Sequence, residues 1–123
     1  MKLNESENKL LNRIIETIQR NEEGRTIDWD GRTVEDDAWA VGIKKHEHNP
    51  TSLDNLEEWV KRVWKHVDRK WSRAVGIWFD KKEQRYVLDV VELVKDKRDA
   101  LVAAGFQEQK AIINLKTKQL IYV

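Results

Sequence analysis

Residues 86–115, YVLDVVELVKDKRDALVAAGFQEQKAIINL, decide the fold. The first third is rich in Val and Leu, a composition that favours a pleated, buried strand, and it predicts a strand over 85–95. Asp96 then offers its carboxylate to the free amides of a helix start, and Gly105 suits a helix exit, so a short helix is expected at about 96–104. The run that follows predicts a second strand over 110–116. Asp89 and Gln109 stand out, because they are polar residues set beside apolar strand positions that packing alone would fill otherwise.

Upstream of this stretch, Trp78 and Phe79 lead into a turn at 80–84. The tetrapeptide Ala-Val-Gly-Ile occurs at 40–43 and again at 74–77. Both copies lie in predicted strands, and each glycine leaves room for close approach by a helix or a neighbouring backbone. Four residues are too few to define a repeat architecture. In the strand over 38–44, Trp39, Val41 and Ile43 share one face, while Ala38, Ala40 and Gly42 share the other. Asp30-Gly31 within 26–34 is a hairpin signal. His46 to Pro50 reads as a polar loop, and Lys116 to Gln119 as a final turn before 120–123.

Two longer helices complete the pattern. Over 4–21, Leu10, Leu11, Ile14, Ile15 and Ile18 recur at helical spacing, Asn4 or Ser6 can cap the start, and Gly24 suits the exit. From Thr51 or Ser52 a helix is expected to run to about Trp71, with Leu53, Leu56, Val60, Val63, Val67 and Trp71 on its buried side. The expected architecture is one α+β domain over 1–123. Its sheet is mixed, largely antiparallel and of about five strands, with the long helix packed on one face and the N-terminal amphipathic helix nearby.

Composition narrows the chemistry. Lys and Arg total 23 against 22 acidic residues, so no global field steers the chain to a polyanion. Without cysteine there is no disulfide, thiolate nucleophile or cysteine metal site. No apolar signal core and no run of membrane-spanning length is present, so a cytoplasmic protein without a membrane partner is expected. Nucleophile-elbow, phosphate-loop, zinc-protease and dinucleotide motifs are absent. Glu92 and Lys95 would face opposite sides of a strand, a spacing that argues against a nuclease site.

Three constellations remain. His46 and His48 sit at i and i+2 of an extended segment, a spacing that suits a metal ion and a metal-dependent hydrolase, with His66 or a carboxylate as a third ligand. Lys61, Arg62, Lys65, Arg69 and Lys70, interleaved with Trp64, resemble a single-strand nucleic-acid binder, although acid early and base late in a helix also complements its macrodipole. Asp89 and Gln109 form the third.

Across 78–115, Trp78, Tyr86, Leu88, Asp89, Val90, Val91, Asp96, Ala100, Gln109, Ala111, Ile112 and Leu115 resemble a pattern of small, uncharacterised proteins of bacteriophages and related mobile elements. The pattern covers under half the chain, and two departures mark it: an extra residue between Tyr86 and Leu88, and Gly105 about one position late. The resemblance implies an accessory protein of a virus or mobile element. The leading expectation is non-catalytic binding of another macromolecule, a protein such as a host factor, with no cofactor. Nucleic-acid binding by the basic Trp-containing helix is the alternative.

Overall fold

The computed structural model describes residues 2–123. Helix α1 (Glu5–Gln19) opens on a capping box: Asn4 accepts the Glu7 amide, and the Glu7 carboxylate accepts the Asn4 amide. These contacts satisfy two helix-start donors that otherwise lack partners. Helix α2 (Leu53–Val67) is capped by Ser52, and α3 (Lys97–Phe106) by Asp96. The strands are β1 (Gly24–Ile27), β2 (Trp39–His48), β3 (Arg73–Asp80), β4 (Arg85–Val94), β5 (Ala111–Asn114) and β6 (Leu120–Tyr122). They form one six-stranded sheet in the order β1-β3-β4-β2-β5-β6. Every pairing in it is antiparallel. The α+β class holds, with one strand more than expected.

Register sorts the side chains onto two faces. On the first, Val75 and Ile77 of β3, Leu88 and Val90 of β4 and Ile43 of β2 meet Leu10, Leu11 and Ile14 of α1 and Leu56, Trp59, Val60, Val63 and Val67 of α2. Trp39 and Val41 lie on the same face and receive Ala100 and Ala104 of α3. All three helices therefore cover one side. On the opposite side Ala40, Ala74 and Val91 pack under Val34, from the β1–β2 connection, and Leu115. That connection has to pass two strands, because β3 and β4 lie between β1 and β2.

Several boundaries differ from the sequence expectations. Residues 46–48 continue β2 rather than forming a loop, and the register slips between Ile43, opposite Val90, and His48, opposite Leu88. Only a bulge accommodates the extra residues, and bulges favour polar sheet rims of this kind. Helix α2 ends at Val67, because Asp68 leaves helical geometry and Arg69 takes a positive φ of 55°. Trp71 thus lies beyond the helix and is 61% exposed, and Leu53 is also exposed, so neither belongs to the buried side. Gly24 opens β1 instead of ending α1, where Arg20 is the cap. Gly105 lies inside the last turn of α3, and Glu108, with a φ of 53°, makes the reversal expected of it. The Asp30-Gly31 turn closes on a single bridge, Ile27 to Thr33, so the hairpin is minimal. No helix among the described residues is long and apolar enough to cross a membrane.

Candidate functional site

The duplicated tetrapeptide has one structural consequence. Asp89 lies on β4, directly opposite Gly76 of β3, and Gly42 lies on β2, opposite Val91. The Asp89 side chain therefore rests between the two glycines, on the face away from the helices. A Cβ on Gly76 would stand 2.5 Å from Asp89 Oδ1, and one on Gly42 would stand 2.6 Å from Oδ2. A Cβ on Gly42 would also stand 2.5 Å from Gln109 Oε1, so the two polar residues singled out in the sequence converge on one point. What the glycines admit is thus a carboxyl side chain, not a helix or backbone.

Asp89 is only 9% exposed, and its Oδ1 has no hydrogen-bond partner among the described residues. Burial pushes its pKa up to about 8, and the negative charge of Glu47 adds to the rise. Removing a carboxylate from water without a counter-charge favours the neutral acid. At neutral pH Asp89 is therefore chiefly protonated, and its hydroxyl can act as a donor. Gln109 is held from the loop side, with its Nε2 donating to the Gln107 carbonyl at 3.2 Å and its backbone amide closing α3 on the Ala104 carbonyl at 2.9 Å.

A second cluster forms on the helix side. The bulge in β2 sets the His46 ring against that of His66 on α2, with centroids 4.4 Å apart. The backbone carbonyl of His46 is fixed by the Trp59 indole N–H at 2.9 Å. Burial, followed by the neighbouring His66 and the positive charges of Lys45, Arg73 and Arg62, holds the His46 pKa down at about 4. His66 is lowered in the same way, by burial and then by Lys65, Arg73, Lys45 and Lys70. Every charge that shifts either ring is positive. Arg73 reaches the Glu92 carboxylate at 3.3 Å.

The sequence-predicted residues divide between these places. Arg62, Lys65 and Lys70 join the second cluster, together with Lys45 and Arg73, which local sequence did not single out. Lys61 instead ties α2 to α1 through the buried Glu7 carboxylate, at 3.1 Å. Arg69 pairs with its neighbour Asp68 at 3.6 Å. Trp64 is half-buried against the core. His48 makes no pair with His46; its Nε2 lies 2.7 Å from Asn55 Oδ1 and its ring stacks on Trp59. Burial again lowers its pKa. Among the described residues no group of three or more His, Asp or Glu side chains is placed to hold a metal ion.

Trp71 follows Lys70 and precedes Arg73 by two positions. Its ring lies 5.0 Å from that of Trp29, tilted by 57°, and the rest of it faces solvent. An exposed indole between Lys70 and Arg73 in the chain offers a stacking surface close in sequence to two of the cations. No family model matches the chain, and no curated protein and no solved structure matches it.

Proposed function

We propose that the protein acts by non-catalytic binding of another macromolecule, and that this partner is a single-stranded nucleic acid meeting the basic end of α2. The observation that carries the reading is the convergence of Lys45, Arg62, Lys65, Lys70 and Arg73, from β2, α2, its C-terminal end and β3, around two paired imidazoles whose pKa burial lowers and these charges lower further. A chain of net charge +1 has no global steering field, so a local concentration of cations is what would attract phosphates. Trp71 supplies the base platform. The likeness of residues 78–115 to small proteins of bacteriophages and mobile elements supports an accessory role, in which a fold with no catalytic motif still serves by occupying a strand.

The test is fluorescence anisotropy with a short labelled thymidine oligonucleotide. Arg62→Gln and Lys65→Gln are each expected to weaken binding and to reduce the slope of log affinity against log salt by about 0.7, the value of one lost phosphate contact on a single strand. Trp71→Ala is expected to cost about 1–3 kcal/mol of binding, as loss of a stacked base does. Charge variants that leave both affinity and salt slope untouched would remove the reading.

A protein partner is the second reading, and Phe106 favours it. This ring is 86% exposed at the end of α3, beside Ile43, Lys44 and Lys45. Aromatic anchors of this kind are enriched at interface centres. Capture of a host protein that Phe106→Ser abolishes, with oligonucleotide affinity unchanged, would favour this reading over the first.

A further inference from the structure

We propose that the His46–His66 pair is a phosphate-binding centre that takes up a proton together with its ligand. The inference rests on the reading of the basic end of α2 as an anion-binding face, and it names the atoms that would receive the phosphate and how that contact is regulated.

Two imidazoles 4.4 Å apart cannot both become cations cheaply, because each positive charge repels the other. The elements packed around them add only positive charge to the shifts: Lys45 from β2, Arg62 and Lys65 from α2, Lys70 beyond its end, and Arg73 from β3. Glu92 of β4 offsets Arg73 in part at 3.3 Å, while Asp68 beyond α2 pairs with Arg69 and Glu108 with Lys44, so among the described residues only Arg73 of the five cations has a carboxylate partner. Glu47 lies next to His46 in β2, and its charge acts on Asp89.

Such a site is unstable in its own charge, and what it lacks is an anion. A phosphate oxygen at the exposed edge of this half-buried pair would accept from an N–H group of each imidazole and offset the surrounding lysines and arginines. It would also favour the protonated imidazole, so each ring's pKa must rise on binding. By linkage, affinity must then increase as pH falls toward the range where the free rings titrate. A simple row of lysines and arginines would bind phosphate with no such dependence between pH 5 and 8, since none of those groups titrates there.

The experiment follows the histidine ring C–H resonances by NMR as a function of pH. It is run on the free protein, with a short thymidine oligonucleotide, whose phosphodiesters do not titrate in this range, and separately with inorganic sulfate. The oligonucleotide is expected to raise the pKa of both His46 and His66 by about one unit or more, and its affinity is expected to grow about three- to tenfold between pH 7.5 and pH 5.5. The double variant His46→Gln, His66→Gln, checked for its fold by circular dichroism, should lose that gain on acidification. Oligonucleotide binding that leaves both ring pKa values where they were, and does not strengthen in acid, would overturn the inference while leaving the proposed function standing. Sulfate raising both values in the absence of any oligonucleotide binding would uphold the phosphate centre and remove the nucleic-acid reading. No rise with either probe overturns the inference.

Discussion

Asp89→Asn is expected to be more stable than the wild-type protein at pH 8 and above, and to lack the loss of stability that Asp89 imposes as pH rises from 6.5 to 8. The sign follows from the direction of the shift. In the unfolded chain the Asp89 carboxyl has its ordinary pKa of 3.8, whereas in the fold it sits at about 8. Between those values the folded state holds a proton that the unfolded state has released. Its stability is therefore fully present below the unfolded pKa and is lost as pH rises through the folded one. The loss is about 1.4 kcal/mol per pH unit. Across the whole window this becomes a large part of the roughly 5–15 kcal/mol that holds a domain together.

His46 runs the other way. Its folded pKa of about 4 lies below the ordinary 6.5, so its contribution is present above pH 6.5 and is lost as pH falls toward 4. The two slopes oppose each other in acid, and His48 and His66, which burial also lowers, add to the His46 slope until the unfolded histidines finish titrating above pH 7. The difference in melting temperature between wild type and Asp89→Asn across pH 6.5 to 8 isolates the contribution of Asp89. Asparagine has nearly the same shape and carries no charge, so it removes the slope without opening a cavity. Parallel curves for the two proteins would show that Asp89 is not buried as a neutral acid.

Gly76→Ala is expected to destabilise the protein by about 1–3 kcal/mol, the usual range for overpacking a filled interior. The added methyl would meet Asp89 Oδ1 at 2.5 Å and Val91 Cγ1 at 3.0 Å, and neither belongs to the loose end of a flexible chain. Gly42→Ala is expected to cost a comparable amount, because its methyl would meet the same carboxyl, Asp89 Oδ2 at 2.6 Å; only its 2.5 Å contact with the far end of the half-buried Gln109 side chain can be relieved by a swing of that side chain. The decisive comparison is a double-mutant cycle in urea. If the glycine serves to seat Asp89, then Gly76→Ala should cost much less in an Asp89→Ala background, with a coupling of about 0.5–3 kcal/mol. Additive effects would mean that the glycine serves some other need.

These particulars show how much of the molecule was legible in its sequence. The core stripes of α1 and α2 follow from apolar spacing alone, and Leu10, Ile14, Leu56, Val60 and Val63 are buried as that spacing requires. Asp89 and Gln109 were visible as polar residues in unsuitable company. Their meeting over Gly42 was not, because it depends on a register between strands far apart in the chain. The bulge in β2 escaped because Lys44, Lys45, His46, Glu47 and His48 carry no apolar alternation; a strand at a solvated rim loses the signal by which strands are read. Missing the bulge also hid the His46–His66 pair, since nineteen residues of strand end, loop and helix lie between its members. Trp71 misled because it falls in phase with the α2 stripe, while the backbone turns away at Asp68 and Arg69 before reaching it. Of the six tryptophans, Trp59 is fully buried, yet Trp71 and Trp78 remain 61% and 42% exposed, so apolar periodicity alone does not fix the fate of a large aromatic at the end of an element.

Two faces of one sheet thus carry different features: a neutral, glycine-seated carboxyl on one side and a cationic, imidazole-centred surface on the other. The second is the centre of the account, and the salt dependence of oligonucleotide binding by the wild-type protein tests it most directly. Clustered contacts from Lys45, Arg62, Lys65, Lys70 and Arg73 predict that log affinity falls linearly with log salt, with a slope of about −2 to −3.5 for three to five phosphate contacts on a single strand. A flat dependence, or no binding even at low salt, would contradict it.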